Sequence, residues 1–126
     1  MTDEAKEGLD IRKHHSTMFG TPFVSIDWKD VDALNEALAE LVLAEEKADD
    51  LGRGIRSNAG GWQSRGNLLT RSEPCIVRLK EMMEQTIFEL LGAIVRQDSG
   101  ERTFTLMFDS WANVCRNGNY NVVHTH

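Results

Sequence analysis

The spacing of the apolar residues changes along this chain, and that change is the strongest constraint on its fold. Up to about residue 94 they recur every three or four positions in two separate stretches, which is the period of an α-helix. From Phe104 through Leu106 to Phe108 they recur at every second position, which is the period of a β-strand. Helices that precede strands, without regular alternation of the two, predict the α+β class.

A short strand and an amphipathic helix are predicted between residues 21 and 52. Val24, Ile26 and Trp28 alternate with polar side chains and indicate the strand. The stripe of the helix comprises Val31, Leu34, Leu38, Leu41 and Val42. Asp27 or Asp30 can cap this helix, because a carboxylate accepts hydrogen bonds from the unpaired N–H groups of the first turn. We expect the helix to end between residues 49 and 52.

The second helix is predicted to begin close to Pro74, which the first turn of a helix tolerates. Ser72 or Glu73 is its predicted cap. Its apolar stripe comprises Ile76, Leu79, Met83, Ile87, Leu90, Leu91 and Ile94. The sequence Gln-Asp-Ser-Gly over residues 97–100 is expected to end it.

A β-hairpin is predicted to follow the second helix. Its first strand runs from Phe104 to Cys115, and its returning strand runs from Tyr120 to His126. Between them lies Asn117-Gly118, a pair typical of the type I′ turn, in which both central residues have a positive φ.

Composition places the chain among single globular domains. It has 126 residues, a net charge of -6 and 40% hydrophobic residues, and it contains no run of about 20 apolar residues that could cross a bilayer. The acidic balance argues against nucleic-acid binding. The two cysteines are too few for a disulfide framework, so a cytoplasmic location is expected. We expect residues 1–16 to be a mobile N-terminus and 17–126 to belong to one domain.

Residues 51–80 are basic within this acidic chain. They carry Arg53, Arg56, Arg65, Arg71, Arg78 and Lys80 against one acid, Glu73. Such a segment can bind a small carboxylate or phosphate, because arginine presents a planar fork to these groups. The alternative is that its arginines pair with the acids of the preceding helix.

The most informative motif is His124-Thr125-His126 on the last predicted strand. Side chains two apart on a strand point to the same face, so both imidazoles can bind one metal ion. Tyr120 would lie on that face as well. The alternative interpretation is an incidental pair of histidines with a structural role.

Three segments of the chain together resemble one protein family. They are Thr21-Pro22-Phe23, SNAGGWQS over Ser57–Ser64, and SWANVCRNGNYNVVHTH over Ser110–His126. In this order they are similar to the 2-oxoglutarate/Fe(II)-dependent oxygenases of bacteria and phages. The resemblance spans residues 17–126.

The resemblance implies a jelly-roll (double-stranded β-helix) oxygenase with an N-terminal helical cover. Fe(II) and the cosubstrate 2-oxoglutarate are the implied cofactors, with His124 as the first metal ligand. His126 stands where the wider superfamily usually has aspartate, so it is either a ligand or a group behind the ligands. The implied cofactor- or substrate-binding residues are Trp62, Gln63, Ser64, Asn113 and Tyr120.

The sequence also predicts that the jelly roll is cut short. Such a fold needs about eight strands, and three are predicted, so we expect the N-terminal part of the domain, incomplete for activity. Two alternatives to the oxygenase stay open, namely a non-catalytic helix/β interaction module and a cupin-like zinc or manganese enzyme. The substrate, whether a small molecule or a protein, and the formation of a homo-oligomer are left open.

Overall fold

The computed structural model describes residues 15–18, 21–49, 51, 57–94 and 103–124. Within these ranges the fold contains two α-helices and three antiparallel sheets of two strands each, which is an α+β architecture as predicted. The predicted end of the second helix over residues 97–100 and most of the predicted N-terminal extension lie outside the described residues. His15 and Ser16, which the sequence assigns to that extension, are the first residues of a strand.

The N-terminal sheet is a hairpin of β1 (His15–Met18) and β2 (Thr21–Val24), with His15 opposite Val24. The predicted strand through Trp28 therefore lies earlier in the chain. Even so, Val24, Ile26 and Trp28 are half-buried while the residues between them are exposed. The indole nitrogen of Trp28 donates to Thr86 Oγ1 at 3.0 Å, which attaches this segment to the second helix.

Helix α1 (Asp32–Ala48) ends where the sequence predicts, but its predicted caps are wrong. Val31 occupies the N-cap position and no side chain caps the helix, while Asp30 has a φ of 55° in the left-handed region. Helix α2 (Pro74–Ile94) begins at the predicted proline, and the carbonyl of Glu73 accepts from Val77 N–H at 3.0 Å.

The core lies between the two helices and the segment that connects them. A short 3-10 helix (Leu68–Thr70) buries Leu68 and Leu69 against Ile76 of α2. Partly buried side chains surround this cluster: Leu38, Leu41, Cys75, Leu79, Met83, Phe108 and Ala112. Leu38 and Leu41 of α1, and Ile76, Leu79 and Met83 of α2, thus bring the middle of one predicted apolar stripe and the start of the other into the core. Cys75 and Cys115 are free thiols.

The four remaining strands are short: β3 (Asn58–Ala59), β4 (Trp62–Gln63), β5 (Asn113–Val114) and β6 (Tyr120–Asn121). β3 pairs with β6 and β4 pairs with β5. The predicted hairpin is therefore wrong, because β5 and β6 each pair with the connection between the helices and not with one another. The expected long strand from Phe104 is also absent, since residues 103–112 carry no regular secondary structure.

The predicted turn at Asn117-Gly118 exists, but its type is different. Asn119 N–H donates to Arg116 C=O at 2.9 Å, as in a β-turn. Among the two central residues, Gly118 has a positive φ of 88° and Asn117 does not. A positive φ at the second central position alone is the requirement of a type II turn. This turn connects β5 to β6 without pairing them.

Candidate metal site and its supporting loop

Two segments far apart in sequence, 57–64 and 110–122, lie antiparallel along most of their length. Asn58 is opposite Asn121 and Trp62 is opposite Val114. Backbone hydrogen bonds beyond the strands extend the pairing: Val122 N–H to Ser57 C=O at 2.8 Å, Ser64 N–H to Ala112 C=O at 2.9 Å and Leu68 N–H to Ser110 C=O at 2.8 Å. The SNAGGWQS segment and the SWANVCRNGNYNVV segment are thus direct partners in the fold.

Two glycines let polar side chains cross the 57–64 segment. A Cβ on Gly60, which has a φ of 79°, would lie 2.6 Å from Asn119 Nδ2. A Cβ on Gly61 would lie 2.2 Å from Asn58 Oδ1. Distances this short are steric overlaps, so the Gly-Gly pair is required by the asparagine side chains that occupy the space.

Asn58 lies in the middle of this paired region and is not among the site residues predicted from the sequence. Its buried side-chain amide donates to Trp62 C=O at 3.3 Å and to Asn113 Oδ1 at 3.4 Å. Cys115 Sγ lies 3.8 Å from its Oδ1. An asparagine three residues before a Gly-Trp pair was the available signal, but its side-chain partner Asn113 lies 55 residues away.

The predicted cofactor- or substrate-binding residues of this loop differ in exposure. Trp62 is 1% exposed, and its indole N–H has no hydrogen-bond acceptor among the described residues. Ser64 is also buried, and its Oγ accepts from Ala112 N–H at 2.9 Å. Gln63 is half-buried and opposite Asn113. Trp62 and Ser64 therefore hold the loop against the protein interior.

Asn113 and Tyr120 belong to the second of the two paired segments, residues 110–122. Asn113 is exposed in β5 and accepts from Asn58, whereas Tyr120 is opposite Ala59 in β6 and is 62% exposed. The structure brings Trp62, Gln63, Ser64 and Asn113 together at the β4–β5 pair. Tyr120 belongs to the β3–β6 pair, closer along the chain to the histidines.

His124 follows β6 and is exposed to solvent. Its ring nitrogen Nδ1 lies 2.8 Å from the carbonyl oxygen of Val122. Because a carbonyl only accepts hydrogen bonds, this contact requires the proton on Nδ1. Histidines that bind metals in proteins commonly donate their second ring N–H to a carbonyl in this way. His124 therefore fits the role of an imidazole ligand.

The other ligands are not assembled in the part of the chain that the structure describes. His126 lies outside it, and within it no three His, Cys, Asp or Glu side chains form a group that could hold a metal ion. Of the two predicted ligands, the described residues therefore include His124, one imidazole that could bind a metal ion. The predicted second histidine stays a prediction.

The described basic residues of segment 51–80 all pair with acids. Arg65 lies 3.3 Å from Asp49 and Arg71 lies 2.7 Å from Glu45, both at the end of α1. Within α2 the pairs are Arg78–Glu81 and Lys80–Glu84. The alternative of pairing with the preceding helix is therefore confirmed for Arg65 and Arg71. Arg53 and Arg56 lie outside the described residues.

Two arginines have a raised pKa. Hydrogen bonds to Glu73 and then to Glu45 raise the pKa of Arg71, and the same guanidinium lowers the pKa of Glu73. A hydrogen bond to Glu46 raises the pKa of Arg116. These groups are ion pairs that attach α1 to the loops beside it, so their charges are directed at one another.

Comparison with known proteins returns no relative. No protein-family model matches this chain, and no curated protein or solved structure matches it significantly. None of the helices in the described ranges combines the length and apolar character that crossing a membrane requires.

Proposed function

We propose that this chain carries part of a non-haem Fe(II)- and 2-oxoglutarate-dependent oxygenase, with His124 as an iron ligand. The observation that supports this most is the antiparallel pairing of segments 57–64 and 110–122. These are two of the three segments on which the family resemblance rests, and the second of them runs directly into His124.

The tautomer of His124 supports a ligand role. The hydrogen bond to Val122 C=O sets the proton on Nδ1, so Nε2 is the atom that would bind iron. His126 would be a further ligand or a group behind the ligands. Iron bound with 2-oxoglutarate supplies O₂ activation and hydroxylation of a substrate C–H bond, which is chemistry that no side chain provides.

The buried polar contacts of the loop would hold the candidate site rigid. Asn58 and Ser64 bind backbone groups on their own or the partner segment, and Arg116 binds the buried carboxylate of Glu46. Rigid support of this kind keeps ligands in place. In the proposal Gln63, Asn113 and Tyr120, which are not fully buried, contact cosubstrate or substrate, whereas Trp62 supports them from inside.

We propose further that the observed α+β fold continues into a jelly roll, in which β3, β4, β5 and β6 are the first strands. It also includes a cytoplasmic location, because unpaired Cys75 and Cys115 are typical of proteins from reducing compartments. The substrate is a small molecule or a protein side chain.

The test is an anaerobic titration of the full-length protein with Fe(II) and 2-oxoglutarate. We expect saturable Fe(II) binding, a weak visible absorption band when 2-oxoglutarate is added, and succinate formation in air. His124→Ala should weaken Fe(II) binding at least tenfold, a typical loss for a disturbed metal site. The control is Val123→Ala, which shortens the fully exposed neighbouring side chain but keeps the imidazole, and it should bind as the unsubstituted protein does.

Two outcomes of this titration would contradict the proposal. Fe(II) binding that His124→Ala leaves unchanged would exclude this ligand and favour the interaction module with structural histidines. Tight binding of zinc or manganese at His124, with no response to 2-oxoglutarate, would favour the cupin-like enzyme. Melting temperatures measured with each metal distinguish these cases, because a ligand that binds only the native state stabilises it.

A further inference from the structure

The turn between β5 and β6 contains the one asparagine of this sequence that a glycine follows, Asn117 before Gly118. Both residues are exposed. In such a pair the backbone nitrogen of glycine can attack the asparagine side-chain carbonyl, because glycine has no side chain to obstruct the approach. The sequence pair alone permits this reaction, and the folded structure decides how readily it occurs.

The reacting atoms are not engaged elsewhere in the described part of the chain. Neither the carboxamide of Asn117 nor the N–H of Gly118 makes a hydrogen bond there. The turn is closed instead by the residues on either side. Asn119 N–H donates to Arg116 C=O at 2.9 Å, and Arg116 N–H donates to Asn119 Oδ1 at 2.8 Å.

Asn121 is an internal comparison, because it is exposed too. The nitrogen that would attack its side chain belongs to Val122, and this N–H donates to Ser57 C=O at 2.8 Å. Val122 is also β-branched, which hinders approach. The two sites therefore differ both in sequence and in the hydrogen bonding of the attacking nitrogen.

We propose that Asn117 is a site of spontaneous deamidation in the folded protein. A bond forms between Gly118 N and Asn117 Cγ, the bond from Cγ to the side-chain nitrogen breaks, and ammonia leaves with the Gly118 amide proton. Water then opens the cyclic imide at either carbonyl. The products carry aspartate or isoaspartate at position 117.

The position of this turn gives the modification a structural consequence. Isoaspartate adds a methylene to the main chain between β5 and β6, whose registers are both set by pairing with segment 57–64. Either product also adds a negative charge next to Arg116. The turn joins β5, which pairs with segment 57–64, to β6, which leads to His124. Deamidation over time would therefore alter the connection to the candidate metal site.

The first experiment incubates the purified protein in mildly alkaline buffer and follows each asparagine by peptide mass spectrometry with isoaspartate detection. We expect the amide of Asn117 to be lost while that of Asn121 is retained. Asn117→Gln should abolish the conversion, because the larger ring forms far more slowly. Equal retention at positions 117 and 121 would overturn the proposal.

A second variant separates the fold from the sequence pair. Val122→Gly gives Asn121 a following glycine but keeps the backbone N–H that donates to Ser57. In the folded variant Asn121 should lose its amide about two- to tenfold more slowly than Asn117, because a hydrogen bond must first break. In urea the two rates should converge. Equal rates in the folded variant, with its circular dichroism unchanged, would show that the fold does not direct the reaction.

Discussion

Arg116 binds the carboxylate of Glu46 through two parallel hydrogen bonds across 70 residues of sequence. Glu46 is 3% exposed on α1, while the arginine side chain is 57% exposed in the loop before β6. The pair attaches the turn that leads to His124 onto a helix of the core. A buried carboxylate needs such a partner, because an uncompensated charge away from water is strongly destabilising.

Arg116→Ala is therefore expected to lower the melting temperature clearly. The substitution leaves the buried carboxylate of Glu46 without its guanidinium partner. Arg78→Ala is the matched control, because Arg78 forms an exposed pair with Glu81 at 3.5 Å, and such pairs contribute little. A fall in melting temperature no greater than that of the control would show that the Glu46 pair is not a structural link.

Gly61→Ala is expected to destabilise the protein by about 1–3 kcal/mol, the usual cost of overpacking. The new methyl group would overlap Asn58 Oδ1 at 2.2 Å, and Asn58 is buried with its amide bound to Trp62 C=O. Gly92→Ala should instead stabilise by about 0.5–1 kcal/mol, because Gly92 is exposed inside α2 with open space around it. Denaturant unfolding of both variants measures the contrast, and equal effects would contradict the packing of Asn58.

The helices were predictable from sequence because their signal is local. The stripes from Val31 and Ile76 recur at helical spacing, and the ends at Ala48 and Pro74 coincide with turn-forming residues. The cap of α1 was not predictable in this way. Asp27 and Asp30 are suitable caps by type, but the backbone of Asp30 takes a φ of 55° and places Val31 at the helix start.

The strand pairing could not be predicted because it depends on distant partners. The Asn117-Gly118 signal indicated a local hairpin, whereas β5 and β6 each pair with residues 58–63 in the connection between the helices. The same reason applies to Asn58, whose partner Asn113 lies 55 residues away. The contacts of Asn58 could be predicted only once the strand pairing was known.

Ser64→Ala is expected to cost about 0.5–1.5 kcal/mol of unfolding free energy, because it removes the hydrogen bond that the N–H of half-buried Ala112 donates to the Ser64 hydroxyl. Ser25→Ala is the control. Ser25 is exposed, and substitutions at such positions usually change stability by less than about 0.5 kcal/mol. If both variants unfold at the same denaturant concentration, the Ser64 hydroxyl does not stabilise the pairing.

Glu73→Gln is expected to make the free energy of unfolding less dependent on pH in the acid range. Arg71 lowers the pKa of Glu73 in the folded state, so this carboxylate stabilises the protein above its unfolded pKa and loses that effect as the pH falls through its folded pKa. The difference in unfolding free energy between the two proteins should therefore be largest near neutrality and shrink in acid. In an Arg71→Ala background the difference should be clearly smaller, because only hydrogen bonds from backbone N–H groups of Ser72 and Glu73 then lower this pKa, and an undiminished difference would assign the effect to another partner.

Trp62→Phe is expected to destabilise much less than Trp62→Ala. The indole ring is 1% exposed, so truncation to alanine removes a large buried surface and should cost about 3–5 kcal/mol. Its N–H is buried without an acceptor among the described residues, so phenylalanine keeps most of the packing and removes an unsatisfied donor. Denaturant unfolding followed by circular dichroism measures both. Equal losses in the two variants would mean that the indole nitrogen binds a group the loop needs, which would make Trp62 a ligand-binding residue of the kind that the sequence predicts.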